Sequence, residues 1–233
     1  MKICIIQKQQ SKTPANNIKS VLEYLAKTSK LNVDLVCFQE WFLGTNPPDK
    51  IPNKFTQMLS DFAIKNKVMI ATGNMRVQID KIGKKFIQLS CLIDKNGEIV
   101  IKQQKNNLYK GELPWYEGAS NQLESYSDDS NVFIVTSGFD SVNENIYSKI
   151  KEKRPNIWVA QANEFVFDAN IGMYDKLVNI INKRSQELSC TIIVPMILGN
   201  FYGANYSGRS FVSNKGTVLS EIGSLPDILV CEV

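Results

Sequence analysis

Acidic and basic side chains placed just beyond buried strands are where this 233-residue chain could do chemistry. The apolar run Val33–Phe38 leads into Gln39-Glu40-Trp41, and Asn131–Val135 leads into Thr136-Ser137-Gly138-Phe139-Asp140. Ligands of α/β sheets gather at the carboxyl ends of strands. A carboxylate in that place is partly desolvated, which raises its pKa and suits it to general-base work. By position alone, a helix-starting or solvated acid is the commoner reading of Glu40. Lys105, read alone, is an ordinary solvated lysine.

Residue types that are absent narrow the chemistry further. The sequence contains no histidine, so a Ser-His-Asp triad and a Cys-His pair are both excluded. A catalytic zinc site, which wants imidazole or clustered thiolates, has no support, and no metal or other cofactor is expected. The five cysteines, Cys4, Cys37, Cys91, Cys190 and Cys231, form no CxxC pair, and each sits among apolar neighbours. They read as small buried hydrophobes rather than as a disulfide framework, which fits a reducing cytoplasm. The net charge of +4 comes with no basic run carrying interleaved aromatics, so nucleic acid is not an expected partner. No apolar run approaches the roughly 18 residues of a membrane span, and no signal-peptide pattern follows Met1.

The elements that would position these residues follow from apolar periodicity. Lys2–Gln7, Val33–Phe38 and Val68–Thr72 are short apolar runs of strand length. Between them, Ile18, Val21, Leu22 and Leu25, then Phe55, Met58, Leu59, Phe62 and Ala63, recur at helical spacing. Strand–helix–strand order implies parallel neighbours in an α/β sheet. Phe86–Ile93 and Glu98–Gln103 flank Asn96-Gly97, a strong hairpin signal, and Ser210–Ser213 and Thr217–Leu219 flank a second turn. Further strands are expected at Asn131–Val135, Ile157–Ala160 and Thr191–Met196, with a helix at Tyr174–Leu188 and a surface loop at Ser120–Ser130. The expectation is one domain over 1–233: an α/β four-layer αββα sandwich of two mixed sheets with helices outside.

With the residues in place, the order of motifs resembles the nitrilase superfamily of carbon–nitrogen hydrolases along almost the whole chain. Leu35 through Gly44 is similar to the family segment that delivers a catalytic glutamate, which is Glu40 here. Asn74 and Arg76, just past Gly73, keep the family's layout. Lys105-Asn106-Asn107-Leu108, followed by Glu112, Trp115 and Gly118, resembles the block carrying the catalytic lysine and a second, supporting glutamate. Arg184-Ser185-Gln186-Glu187 and the loop Gly199–Ser210 resemble the family's late helix and its glycine-rich loop.

The third block departs from the family. The resemblance implies a cysteine nucleophile two residues before an acid. Here Asp140 keeps the acid and Gly138 stands in the cysteine's place. No cysteine lies between Cys91 and Cys190, so no shift of alignment restores one. The resemblance thus implies a base, Glu40, and an oxyanion donor, Lys105, with no thiol to attack an amide or nitrile carbon. Losing that covalent route costs several orders of magnitude in rate, by analogy with triad deletions.

Three functions are compatible with this. The leading one is a pseudoenzyme that keeps a pocket for a small amide- or nitrile-like molecule or for a subunit. A second is an active hydrolase using Ser137 or a Glu40-activated water, although strand alternation turns Ser137 away from residue 138. A third is a structural partner in an oligomer, since the family forms homodimers and larger assemblies. Tyr116, Phe139, Asp140 and Asn163 are the candidate substrate-binding residues. Tyr109, Trp115, Glu164 and Tyr202 are further candidates for the pocket lining, with core packing the commoner reading of the aromatics.

Overall fold

A computed structural model describes residues 1–44, 50–79, 85–120, 122–165, 172–201 and 203–233. In chain order the strands and helices are β1 (Lys2–Gln7), α1 (Pro14–Thr28), β2 (Leu35–Phe38), α2 (Lys54–Asn66), β3 (Met69–Ala71), β4 (Met75–Gln78), β5 (Phe86–Ile93) and β6 (Ile99–Gln104). Then come β7 (Tyr126–Ser127), β8 (Val132–Ser137), a 3-10 turn (Gly138–Ser141), α3 (Glu144–Lys153), β9 (Ile157–Gln161) and α4 (Tyr174–Leu188). The chain ends with β10 (Thr191–Val194), β11 (Leu198–Phe201), β12 (Ala204–Ser207), β13 (Phe211–Asn214), β14 (Thr217–Glu221) and β15 (Asp227–Glu232).

Two mixed sheets form the centre. The first runs β15-β1-β2-β3-β5, with β3 and β4 sharing one edge of the long β5 and β6 on its other edge. The second runs β14-β13-β10-β9-β8-β7. Neighbours β1, β2 and β3 are parallel, as are β8, β9 and β10, whereas the hairpins β5–β6 and β13–β14 are antiparallel. This is the four-layer sandwich expected from the sequence.

Three apolar layers hold it together. Ile3, Ile5, Leu35 and Cys37 of the first sheet meet Val135, Val159, Ile193 and Val212 of the second across the middle. The alternate residues Cys4, Ile6, Val36 and Phe38 face outward onto Val21 and Leu25 of α1 and Leu59 and Ala63 of α2. On the other side Ile134, Trp158 and Ile192 face Ile146 and Ile150 of α3 and Leu177 and Ile181 of α4. Strands buried on both faces read as continuous apolar runs, which is why they stand out in the sequence. Helix starts are set locally: Asn53 and Thr56 form a capping box at α2, and the Thr13 side chain caps α1 ahead of Pro14.

Several elements differ from the sequence expectation. The stretch Ser120–Ser130 is not loop throughout, because Tyr126 and Ser127 pair with Phe133 and Val132 as an edge strand. β4, α3, β11, β12 and β15 were not anticipated. β4 and β15 are short or half-exposed edge elements with a mixed polar pattern. α3 is mostly polar and buries only Ile146, Tyr147 and Ile150.

One close approach matters for the site. A β-carbon on Gly73, just beyond β3, would clash with the Gln39 carbonyl oxygen and come within 2.8 Å of the Phe42 ring. The turn bearing Glu40 thus packs directly on a glycine. Gly73→Ala is expected to cost about 3 kcal/mol of stability by overpacking, measured by denaturant unfolding. A loss below about 0.5 kcal/mol, the size of a neutral surface change, contradicts this packing.

Candidate functional site

Glu40 leaves β2 two residues past its end, inside a turn fixed from both sides. The Gln39 side chain imitates a strand partner: its Oε1 accepts from the Lys8 amide at 2.9 Å and its Nε2 donates to the Lys8 carbonyl at 2.9 Å. Trp41 adopts a left-handed φ of 56°, unusual for a bulky residue. The Gly44 amide closes the turn on the Trp41 carbonyl at 2.6 Å. Neither solvated reading survives: Glu40 is 1% exposed and Lys105 0% exposed.

Lys105 follows β6 directly and is the hub. Its ammonium donates to Glu40 Oε1 at 3.2 Å and to Glu112 Oε1 at 3.0 Å. It also stands 4.6 Å from the centre of the Tyr109 ring. Asn74 Nδ2 donates to Glu40 Oε1 at 3.2 Å, and Asn163 Nδ2 donates to Glu40 Oε2 at 3.2 Å. Glu112 accepts from Gln88 Nε2 at 2.7 Å and from the Tyr109 amide at 2.8 Å. Burial pushes the Glu40 carboxyl above the usual range, partly opposed by Lys105 and reinforced by the negative Glu112. For Lys105, burial acts to lower the pKa, but Glu40 and Glu112 together outweigh it and hold the ammonium above its ordinary value.

Gly138 opens the 3-10 turn after β8 with a φ of 56°. A β-carbon there would lie 2.6 Å from Lys105 Nζ and 2.7 Å from Glu40 Oε1. Residue 138 therefore aims its missing side chain straight at the ammonium–carboxylate pair. Asp140, buried, accepts from the Asn106 and Asn107 amides at 2.7 and 2.8 Å, and from both of their side chains at 3.1 and 2.7 Å. It ties the turn after β8 to the segment after Lys105. From the other side, the buried Arg184 guanidinium donates to the Ser141 and Val142 carbonyls and to Glu144.

A cavity of about 650 Å³ opens on this network. Glu40, Glu112 and Asn163 form its polar wall, and Trp41, Tyr109, Trp115, Tyr116, Phe165 and Tyr206 form an aromatic one. Arg76 and Ile197 complete much of the rim. Of the residues proposed from sequence, Glu40, Glu112, Tyr109, Trp115, Tyr116 and Asn163 line the cavity, while Lys105, Gly138, Phe139 and Asp140 do not. Phe139 packs against Tyr109 with ring centres 6.3 Å apart. Glu164 is also off the wall and accepts from the Ser207 amide at 2.7 Å. Tyr202 lies outside the described residues.

Sequence reasoning assigned no role to Asn74, Arg76, Gln88 or Tyr206. Their signal was polar residues at alternate positions, 74 and 76, then 88 and 90, along or beside strands that are otherwise apolar. The cysteines lie elsewhere: none lines the cavity, and burial pushes the Cys4, Cys91 and Cys190 thiols up to about 12.

Comparison with known proteins shows the fold and the family. Residues 2–142 match the family model described as carbon–nitrogen hydrolase. The NitN amidase from Nesterenkonia sp. AN1 is similar in structure, with 17% identity over 100% of this chain and 92% of that one, TM-score 0.86. A cysteine-to-alanine mutant of the amidase from that organism, in complex with butyramide, superposes with 17% identity over 100% and 90% of the two chains, TM-score 0.84. A carbon–nitrogen hydrolase from Helicobacter pylori G27 gives 15% identity over 99% and 87%, TM-score 0.84. No curated protein matches in sequence.

The raised Glu40 pKa has a definite sign. The folded protein holds this proton more tightly than the unfolded chain. The group therefore favours folding at low pH, and that contribution is lost as the pH rises from the ordinary carboxylate value toward the raised one. Carboxyl NMR of the folded protein, assigned by loss of the signal in Glu40→Gln, is expected to show a midpoint above 4.5, the ordinary value. A midpoint at or below it contradicts a desolvated carboxyl.

Proposed function

Because the chain belongs to the carbon–nitrogen hydrolase family, matched over residues 2–142, we propose that it keeps that family's pocket as a binding site for a small amide- or nitrile-like molecule and has lost the thioester route. The observation that carries this reading is Gly138. Its backbone points at Lys105 Nζ and Glu40 Oε1, where a nucleophile would need to stand between a base and a cation, and glycine brings no sulfur there.

The remaining groups are suited to holding a ligand. Among the described residues, Glu40 Oε2 takes one bond, from Asn163. A carboxylate oxygen has room for two donors, so one acceptor position is left for a ligand N–H. Lys105 spends its bonds on Glu40 and Glu112 and so fixes both acceptors in place. The aromatic wall supplies apolar contact, in the usual mix of a small-molecule site. Glu40 and Lys105 without a nucleophile make a poor hydrolase, and Ser137 does not line the cavity.

The test is turnover of a panel of amides, nitriles and carbamoyl compounds, alongside butyramide binding by calorimetry. The expected result is butyramide binding that weakens in Glu40→Gln, with hydrolysis at background. Gly138→Cys is expected to gain measurable amidase activity, because the atoms it displaces are the far ends of two flexible side chains. The left-handed backbone costs that variant roughly 1–2 kcal/mol of stability. Wild-type turnover far above background, abolished by Glu40→Gln, overturns the proposal.

A further inference from the structure

Arg76 stands on the cavity wall as a cation that no carboxylate of the described residues neutralises. Its guanidinium carbon lies 3.6 Å from the centre of the Phe86 ring and 5.9 Å from that of Tyr116. Ring faces hold it. Its Nε is buried and makes no hydrogen bond. Two other arginines show the contrast: Arg184 pairs with Glu144 at 2.7 Å and Arg209 with Glu221 at 2.9 Å. Among the described residues no carboxylate pairs with Arg76.

The nearest acids of the site are already committed. Glu40 and Glu112 both bond Lys105, and Asn74, Asn163, Gln88 and the Tyr109 amide take further acceptor positions. A second polar atom of the cavity wall is also buried without a partner, the Tyr109 hydroxyl. The wall thus carries a charge with no carboxylate counterion among the described residues. A guanidinium fork matches a carboxylate in two parallel hydrogen bonds.

We propose that Arg76 makes this cavity a site for small molecules carrying a carboxylate at one end and an amide-like group at the other. Arg76 lies directly opposite Gln88 across the β4–β5 ladder, and Asn74, two residues back, holds Glu40. A short run of methylenes between carboxylate and amide would let one molecule meet both groups.

This assignment rests on the binding reading above, and calorimetry on the intact chain separates the two. Glutaramate and butyramide share the amide and differ by the carboxylate. The wild type is expected to bind glutaramate about tenfold more tightly, as one charge-assisted pair provides. The preference should shrink with added salt. Arg76→Met, which keeps an unbranched apolar stem against Phe86, is expected to bring the two affinities together. Equal wild-type affinities overturn the role of Arg76 and leave the binding reading standing. A preference that persists in a folded Arg76→Met overturns it as well. If neither compound binds, both proposals fall. Should Arg76→Met not fold, the wild-type comparison and its salt dependence decide alone.

Discussion

A lysine ammonium with no access to water must be given its counter-charge by the fold, and Lys105 receives it from two carboxylates at once. Burying a lone ammonium is prohibitive, and a buried pair breaks even only when the remaining hydrogen-bonding positions are filled. Here most of them are: Glu40 is held by Asn74 and Asn163, and Glu112 by Gln88 and the Tyr109 amide. The three charged groups reach one point from the end of β2, the end of β6 and the turn after it. Any shift of those segments would strand a buried charge. The rest of the structure near the site reads as devices that prevent such a shift.

Those devices are specific. The Gln39 amide stitches the Glu40 turn to β1, and Gly73 lets the next strand end pack on that turn. Asp140 ties the segment after Lys105 to the turn after β8 through four hydrogen bonds. Arg184, reaching in from α4, pins the other end of that turn. The two sheets meet here as well. Gln161 of β9 donates to the Thr72 carbonyl beside β3, and Ser90 of β5 lies 3.0 Å from Gln161 Oε1. The site is therefore built at a junction of both sheets, which explains why the whole sandwich is retained around it.

Much of this was legible in the residues, and the limits are physical. Strands buried on both faces are nearly unbroken apolar runs, so β1, β2, β5, β8, β9 and β10 stood out. α1, α2 and α4 stood out by apolar spacing. β4 and β15 did not, because a short edge strand needs little apolar content. α3 did not, because three buried residues suffice to dock it. Glu40, Lys105 and Glu112 were reached through the order of family motifs; charge and position alone pointed to solvated residues. Asp140 and Phe139 were placed in the right neighbourhood, but their side chains support the walls and do not line the cavity. Arg76 was seen only as part of a layout. Its meaning depends on which acids fail to meet it, and that is a property of three dimensions.

On the proposed reading, small carbon–nitrogen compounds are held in the cavity by acceptors and aromatic faces, with no thiol to attack them. The central claim is the absence of a covalent step, and an alkylation experiment addresses it directly. Fluoroacetamide and acrylamide add covalently to the active-site cysteine in the Nesterenkonia amidase mutants. Intact-mass measurement of the wild-type chain after incubation with each, followed by peptide mapping, is predicted to show no adduct on any residue of the cavity or of the turn 137–140. A stoichiometric adduct mapped to Ser137, Glu40 or another residue of that site would contradict the account.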